Sequence, residues 1–142
     1  MADVVDSATR SRMMAGIGSR DTLPELLVRR YLHASGLRFC VHDKSLPGRP
    51  DIVLKRHQVV IFVHGCFWHR HPGCRFATTP QTRADFWASK FEANVARDAR
   101  NVTAVEAAGW TALTVWECET KSEDALDLIF WRVVAASPAA PK

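Results

Sequence analysis

The sequence predicts a three-layer α/β domain, a mixed sheet covered by helices on both faces. Three observations point there. The elements run helix, strand, hairpin, helices, strand, helix. Two β-branched runs, "DIVL" and "VVIFV", flank a short polar turn, as in a hairpin. A long helical stretch then separates that hairpin from a last strand, "WTALTVWE", which should therefore lie parallel to its neighbour through a right-handed connection. At 142 residues the chain can bury one core but hardly two.

The first helix is "DTLPELLVRRYLHASG". Asp21 or Thr22 can cap it, Pro24 suits its first turn and Gly36 can close it. Leu27, Val28, Tyr31 and Leu32 make its apolar stripe. "RFCVHD" reads as a short strand, with Cys40 a buried strand thiol between Phe39 and Val41. Two strands follow, joined at Lys55–Gln58. From about Thr82 to Ala108 the pattern is helical, with a break expected near Asp98–Asn101, and Gly109 ends it. "SEDALDLIFWRVVAA" is the closing helix, capped by Ser122. Residues 1–20 form an N-terminal segment, 21–136 the domain, and 137–142, containing "SPAAPK", a disordered tail.

Charge is unevenly spread. Residues 1–101 hold 16 Lys/Arg against 9 Asp/Glu, and residues 102–142 hold 3 against 6. A basic first two thirds favours a polyanionic partner such as nucleic acid. "VVIFV" is far too short to cross a bilayer, and "MADVVDSATRSRMM" has no apolar signal stretch, so a cytoplasmic, non-membrane protein is expected. Four cysteines in that setting suggest ligands rather than a disulfide framework, and no C-x-x-C pair supports thiol redox chemistry.

The densest chemistry lies in "HGCFWHRHPGC", residues 64–74. Cys66, His71 and Cys74 fall within nine residues, and Cys118 follows the last strand. Structural zinc takes four thiolate or imidazole ligands. "HPGC" has the small turn residues that let two ligands face one ion, which favours His71, although His69 competes as the nitrogen ligand. Upstream, Asp51 opens one strand of the hairpin and His64 ends the other, so both lie at its open end. A carboxylate with main-chain carbonyls and water suits magnesium. Together with a free histidine these are the parts that phosphodiester hydrolysis needs.

"PGRPDIVL", "VIFVHGCFWHRHPGC", "TPQTRADFW", "KFEANVARD" and "GWTALTVWEC", with "ATRSRMM" and "RDTLPE" ahead of them, resemble the motifs of the very short patch repair (Vsr) endonucleases. The resemblance spans roughly residues 8–120. It implies a restriction-endonuclease-like fold, and a strand-specific enzyme that nicks DNA beside the thymine of a T:G mismatch left by 5-methylcytosine deamination. It further implies catalytic Mg2+ on Asp51 and the main-chain carbonyl of Val63. His69 would be the general base, oriented by Asp98, with Glu25 and His64 completing the network. Cys66, His71, Cys74 and Cys118 fall on the structural Zn2+ positions. Phe67, Trp68 and Trp87 would enter the duplex from the major groove and Met14 from the minor groove.

Arg49, Arg70, Arg75, Arg83 and Lys90 are candidate phosphate contacts, of which Arg49 and Lys90 are carried forward. Trp110, Trp116 and Trp131 read as core residues, and Phe67 and Trp68 as hard to bury in one pocket. The partner is double-stranded DNA bearing the mismatch, bound by a monomer because the lesion lacks two-fold symmetry. The resemblance leaves room for mismatch-repair proteins as partners and for a bacterial, nucleoid-associated location. One departure stands out: Phe62 and His64 occupy the places where the wider superfamily carries an acid and a lysine. The alternative is a zinc-stabilised DNA-binding module without catalysis.

Overall fold

A computed structural model describes residues 22–136. The segment 1–20, Met14 and the tail 137–142 lie outside the described residues. Helix α1 (Leu23–Ala34) is capped by Thr22, whose side chain accepts from the Glu25 N–H, with proline in its first turn. Strand β1 (Cys40–Val41) precedes the hairpin of β2 (Ile52–Leu54) and β3 (Val59–His64). Helix α2 (Ala84–Ala107) crosses to β4 (Thr111–Trp116). A short 3-10 turn, Glu117–Thr120, leads into α3 (Glu123–Ala136), where Ser122 accepts from the Ala125 N–H.

The sheet order is β1-β2-β3-β4, with the first two pairings antiparallel and β3–β4 parallel. Alternation along β2 and β3 sends side chains to opposite faces. Ile52, Leu54, Val59 and Ile61 pack on one face with Val28 and Leu32 of α1 and Ile129 and Val133 of α3. Val53, Val60 and Phe62 pack on the other with Val105 of α2. Both faces being covered explains why β2 and β3 read as continuous apolar runs.

Three expectations need correcting. α2 is unbroken through Asp98–Asn101, since it contains neither glycine nor proline and Asn101 is seated against Gly48. Cys40 is exposed, because β1 is an edge strand only two residues long. Trp131 is 56% exposed, on the side of α3 that faces away from the core formed by Ile129 and Val133.

Gly48 (φ +76°) lies where a Cβ would come within 2.8 Å of the Asn101 Cβ, whereas Gly36 (φ +95°) has nothing within 4 Å. Gly36→Ala should cost about 1 kcal/mol from backbone strain alone. Gly48→Ala combines that strain with the clash, and should cost on the order of 2–3 kcal/mol in denaturant unfolding.

Candidate active site

The open end of the hairpin is set by one proline. Extending the register beyond Ile52↔Ile61 places Pro50 opposite Val63. Proline has no N–H to give the ladder, so β2 stops there. The Val63 N–H donates instead to the Asp51 carboxylate at 2.7 Å. Because a strand residue's N–H and C=O point to the same side, the Val63 carbonyl also faces the Asp51 side, and Pro50 has no donor for it.

Around Asp51 the structure gathers Glu25 from α1 and His42, two residues past the start of β1. Glu25 is 1% exposed and accepts from Arg29 at 3.0 Å. The backbone N–H of His42 donates to the Asp51 carbonyl at 3.1 Å, and its ring Nε2 lies 2.6 Å from the Glu25 carboxylate. Burial pushes the Asp51 carboxyl up to about 6, with Glu25 adding to the rise. The Val63 N–H and the charges of His42 and His69 pull the other way.

A second group sits beside it. His69 Nδ1 is 2.6 Å from the Asp98 carboxylate, and His64 Nε2 is 3.9 Å from the same group. The His64 and His69 rings stack at 4.0 Å. With Nδ1 held as donor to Asp98, Nε2 of His69 is left as the basic nitrogen. Burial, then the neighbouring His69, holds His64 down at about 4, so it is neutral near pH 7.

The third group is Cys66, His71, Cys74 and Cys118, with all four donor atoms within 4.8 Å of one another. His71 Nδ1 is 3.7 Å from Cys66 Sγ and 3.5 Å from Cys118 Sγ. Spacing had left His69 and His71 both open, and the structure puts His71 with the cysteines and His69 with Asp98. The His71 ring stacks on Trp116 at 4.3 Å, and the Cys118 N–H donates to Cys66 Sγ. Burial pushes the Cys66 thiol up to about 12 and raises Cys118, while the Phe76 N–H lowers Cys74.

Phe67 and Trp68 do share one cluster, contrary to expectation. Their rings meet edge to face at 5.0 Å, and both contact Trp87, which stacks on buried Phe91. The loop bends back on itself far enough for adjacent side chains to meet the same helix. Arg70 ties that bend, donating to the carbonyls of Phe67, Ala77 and Thr78 and lying over the Phe91 ring at 4.1 Å. It therefore serves the loop rather than a phosphate. Arg49 and Lys90 are exposed. Asn94 of α2 donates to the Trp68 carbonyl at 3.1 Å.

His42, Asn94 and the Arg70 clamp escaped the sequence reading. Only His42 carried a signal: it ends a strand that pairs with the one opened by Asp51.

Asp51 and His64 oppose each other in acid. The Asp51 carboxyl rises from 3.8 to about 6 on folding, so its contribution is present below the lower value and lost as pH climbs through the upper one. His64 falls from 6.5 to about 4, so its contribution is present above 6.5 and lost as pH drops through 4. Asp51→Asn should unmask the histidine: without added magnesium, unfolding free energy should fall between pH 6.5 and 4 by up to about 3 kcal/mol. His64→Gln should show the reverse slope.

Residues 2–75 match the family model described as DNA mismatch endonuclease Vsr. The chain is 47% identical over 126 residues to the DNA mismatch endonuclease Vsr of Escherichia coli (strain K12), covering 89% of this chain and 80% of that one. It is 46% identical over 127 residues to the type II nicking enzyme V.XorIIP of Xanthomonas oryzae pv. oryzae (strain KACC10331 / KXO85), covering 89% and 93%. Among solved structures, the catalytic domain of the homing endonuclease I-Bth0305I superposes with a TM-score of 0.53 at 17% identity, over 82% of this chain and 94% of that one. That likeness concerns the fold, which is restriction-endonuclease-like. By sequence, the chain belongs to the Vsr family of DNA mismatch endonucleases.

Proposed function

We propose that the chain is a strand-specific DNA endonuclease that nicks beside the thymine of a T:G mismatch arising from 5-methylcytosine deamination. The observation that carries this reading is the meeting of two groups at one sheet end: the carboxylates of half-buried Asp51 and buried Glu25, and the His69–Asp98 pair. The names of its relatives, a mismatch endonuclease and nicking enzymes, support DNA nicking as the activity. Residues 21–136 supply the chemistry, and residues 1–20, with Met14, contact the duplex. A monomer suffices for an asymmetric lesion cut on one strand.

The donor set fits magnesium: Asp51 and the Val63 carbonyl offer hard oxygens, and the raised Asp51 carboxyl is a group that a cation would relieve. Asp51 and the Val63 carbonyl would hold Mg2+, which would supply charge neutralisation at the phosphate. The chain's own part is proton handling. His69 accepts the proton of the attacking water at Nε2 while Asp98 holds Nδ1. A bond forms from the water oxygen to phosphorus, a phosphorus–oxygen bond of the backbone breaks, and the departing sugar oxygen takes a proton from solvent to leave as a hydroxyl. Neutral His64, stacked on His69, keeps a second positive charge away from the base. Phe67, Trp68 and Trp87 form an aromatic cluster able to wedge into a weakened base step, and exposed Arg49 and Lys90 are the proposed phosphate contacts.

The thiolate cluster fits zinc. Bonds of about 2.3 Å to sulfur and about 2.1 Å to nitrogen give tetrahedral edges near the observed sulfur–nitrogen separations of 3.5 and 3.7 Å. Three thiols and one imidazole, with their donor atoms within 4.8 Å of one another, make a four-ligand set of the kind zinc takes.

Asp51→Asn keeps an acceptor for the Val63 N–H and should abolish magnesium-dependent nicking of a T:G duplex. His69→Ala should slow it by about 10²–10⁴-fold. A wild-type chain that binds the duplex but never nicks it would favour the non-catalytic module. Elemental analysis should find one zinc per chain, lost in Cys118→Ser together with several degrees of thermal stability. Retention of full zinc by that variant would remove Cys118 from the ligand set.

A further inference from the structure

His42 has no place in the mechanism, yet its ring lies inside the Asp51 pocket. Its Nε2 is buried and 2.6 Å from the Glu25 carboxylate, but the approach is off the ring N–H direction and no hydrogen bond forms. An ordinary ion pair would align that N–H with the oxygen. Glu25 already accepts from Arg29. The nitrogen and the oxygen thus stand side by side as neighbouring donors rather than as a hydrogen-bonded pair. The Asp51 carboxylate completes the group, its donor atoms and theirs lying within 4.8 Å of one another.

The backbone reinforces the placement. His42 holds a left-handed φ of +51°, which a β-carbon-bearing residue seldom adopts. Its N–H is tied to the Asp51 carbonyl, so the two side chains are carried on bonded, adjacent strand ends. We infer that Glu25, His42 and Asp51 form a mixed nitrogen–oxygen cation site, whose imidazole gives the Asp51 pocket a preference for first-row transition-metal dications over Mg2+. Hard oxygens suit Mg2+, while an imidazole donor favours the transition metals. The inference rests on the reading of Asp51 as a metal-binding carboxylate.

Binding rather than turnover tests it. The full chain, saturated with one equivalent of zinc to occupy the thiolates, is titrated calorimetrically with CoCl2 and with MgCl2. Visible absorption without sulfur-to-metal charge transfer identifies cobalt held by nitrogen and oxygen. The chain should bind Co2+ at least about tenfold more tightly than Mg2+, and His42→Asn should lower that ratio about tenfold while Mg2+ affinity stays within about twofold. Asparagine tolerates the left-handed backbone, and His42→Gln, which returns an oxygen near the position of Nε2, should also keep Mg2+ and lose the preference. An unchanged ratio in both variants, or one lost only in His69→Ala, overturns the inference. Loss of Mg2+ binding in Asp51→Asn alongside an unchanged ratio in the His42 variants sinks the inference and leaves the Asp51 reading standing. Undiminished binding of both metals in Asp51→Asn sinks the two together.

Discussion

The hydrogen bond from the Val63 N–H to the Asp51 carboxylate is the point on which the site turns. It replaces the ladder bond that Pro50 cannot make, so it caps a strand and fixes an acid at once. A carboxylate held this way cannot swing out to solvent, and it feels the desolvation that keeps it protonated to unusually high pH. β3 continues past that bond into His64 and the loop with Cys66, Phe67, Trp68 and His69. His64, Phe67, Trp68 and His69 therefore inherit their positions from the end of one strand.

Trp116 couples that strand end to the thiolate loop. It closes β4, which runs parallel to β3, sits opposite His64, meets the His64 ring edge to face and stacks on the His71 ring. The main-chain N–H of Trp116 donates to Glu119, and Cys118 between them returns to Cys66. A loop with little core of its own is thus fastened at a strand terminus that α1 and α3 already hold in place. Displacing the cluster would be felt at His64 and, through the stacked rings, at His69.

Much of this was legible in the residues, because the patterns were local. β-branched runs gave the hairpin, Pro24 and Thr22 the start of α1, and Ser122 the start of α3. What resisted was tertiary. No periodicity says that α2 continues past Asp98, yet that continuity brings Asp98 to His69. No spacing separates His69 from His71; they part because the backbone turns at Arg70, whose φ is +55°. Trp131 looked like core because it sits in an apolar helix, but helical phase turns it outward while Ile129 and Val133 face inward. His42 left only a faint trace for a related reason: its placement depends on strand register, and β1 is two residues long.

The polar groups form two mixed clusters, an arrangement that suits chemistry better than stability. Glu25, Asp51 and His42 gather at β1 and β2, while His64, His69 and Asp98 gather between β3 and α2. On the first side two carboxylates stand close together, and Arg29 donates to Glu25. A cation entering there gains what folding gave up, since desolvated like charges cost several kcal/mol that a counter-ion can recover. On the second side burial keeps His64 neutral, so the Asp98 charge is directed mainly to His69. A proton acceptor next to a cation must not itself be charged beforehand. Keeping the Glu25 and Asp51 carboxylates in one cluster and the stacked His64 and His69 rings in the other meets that requirement.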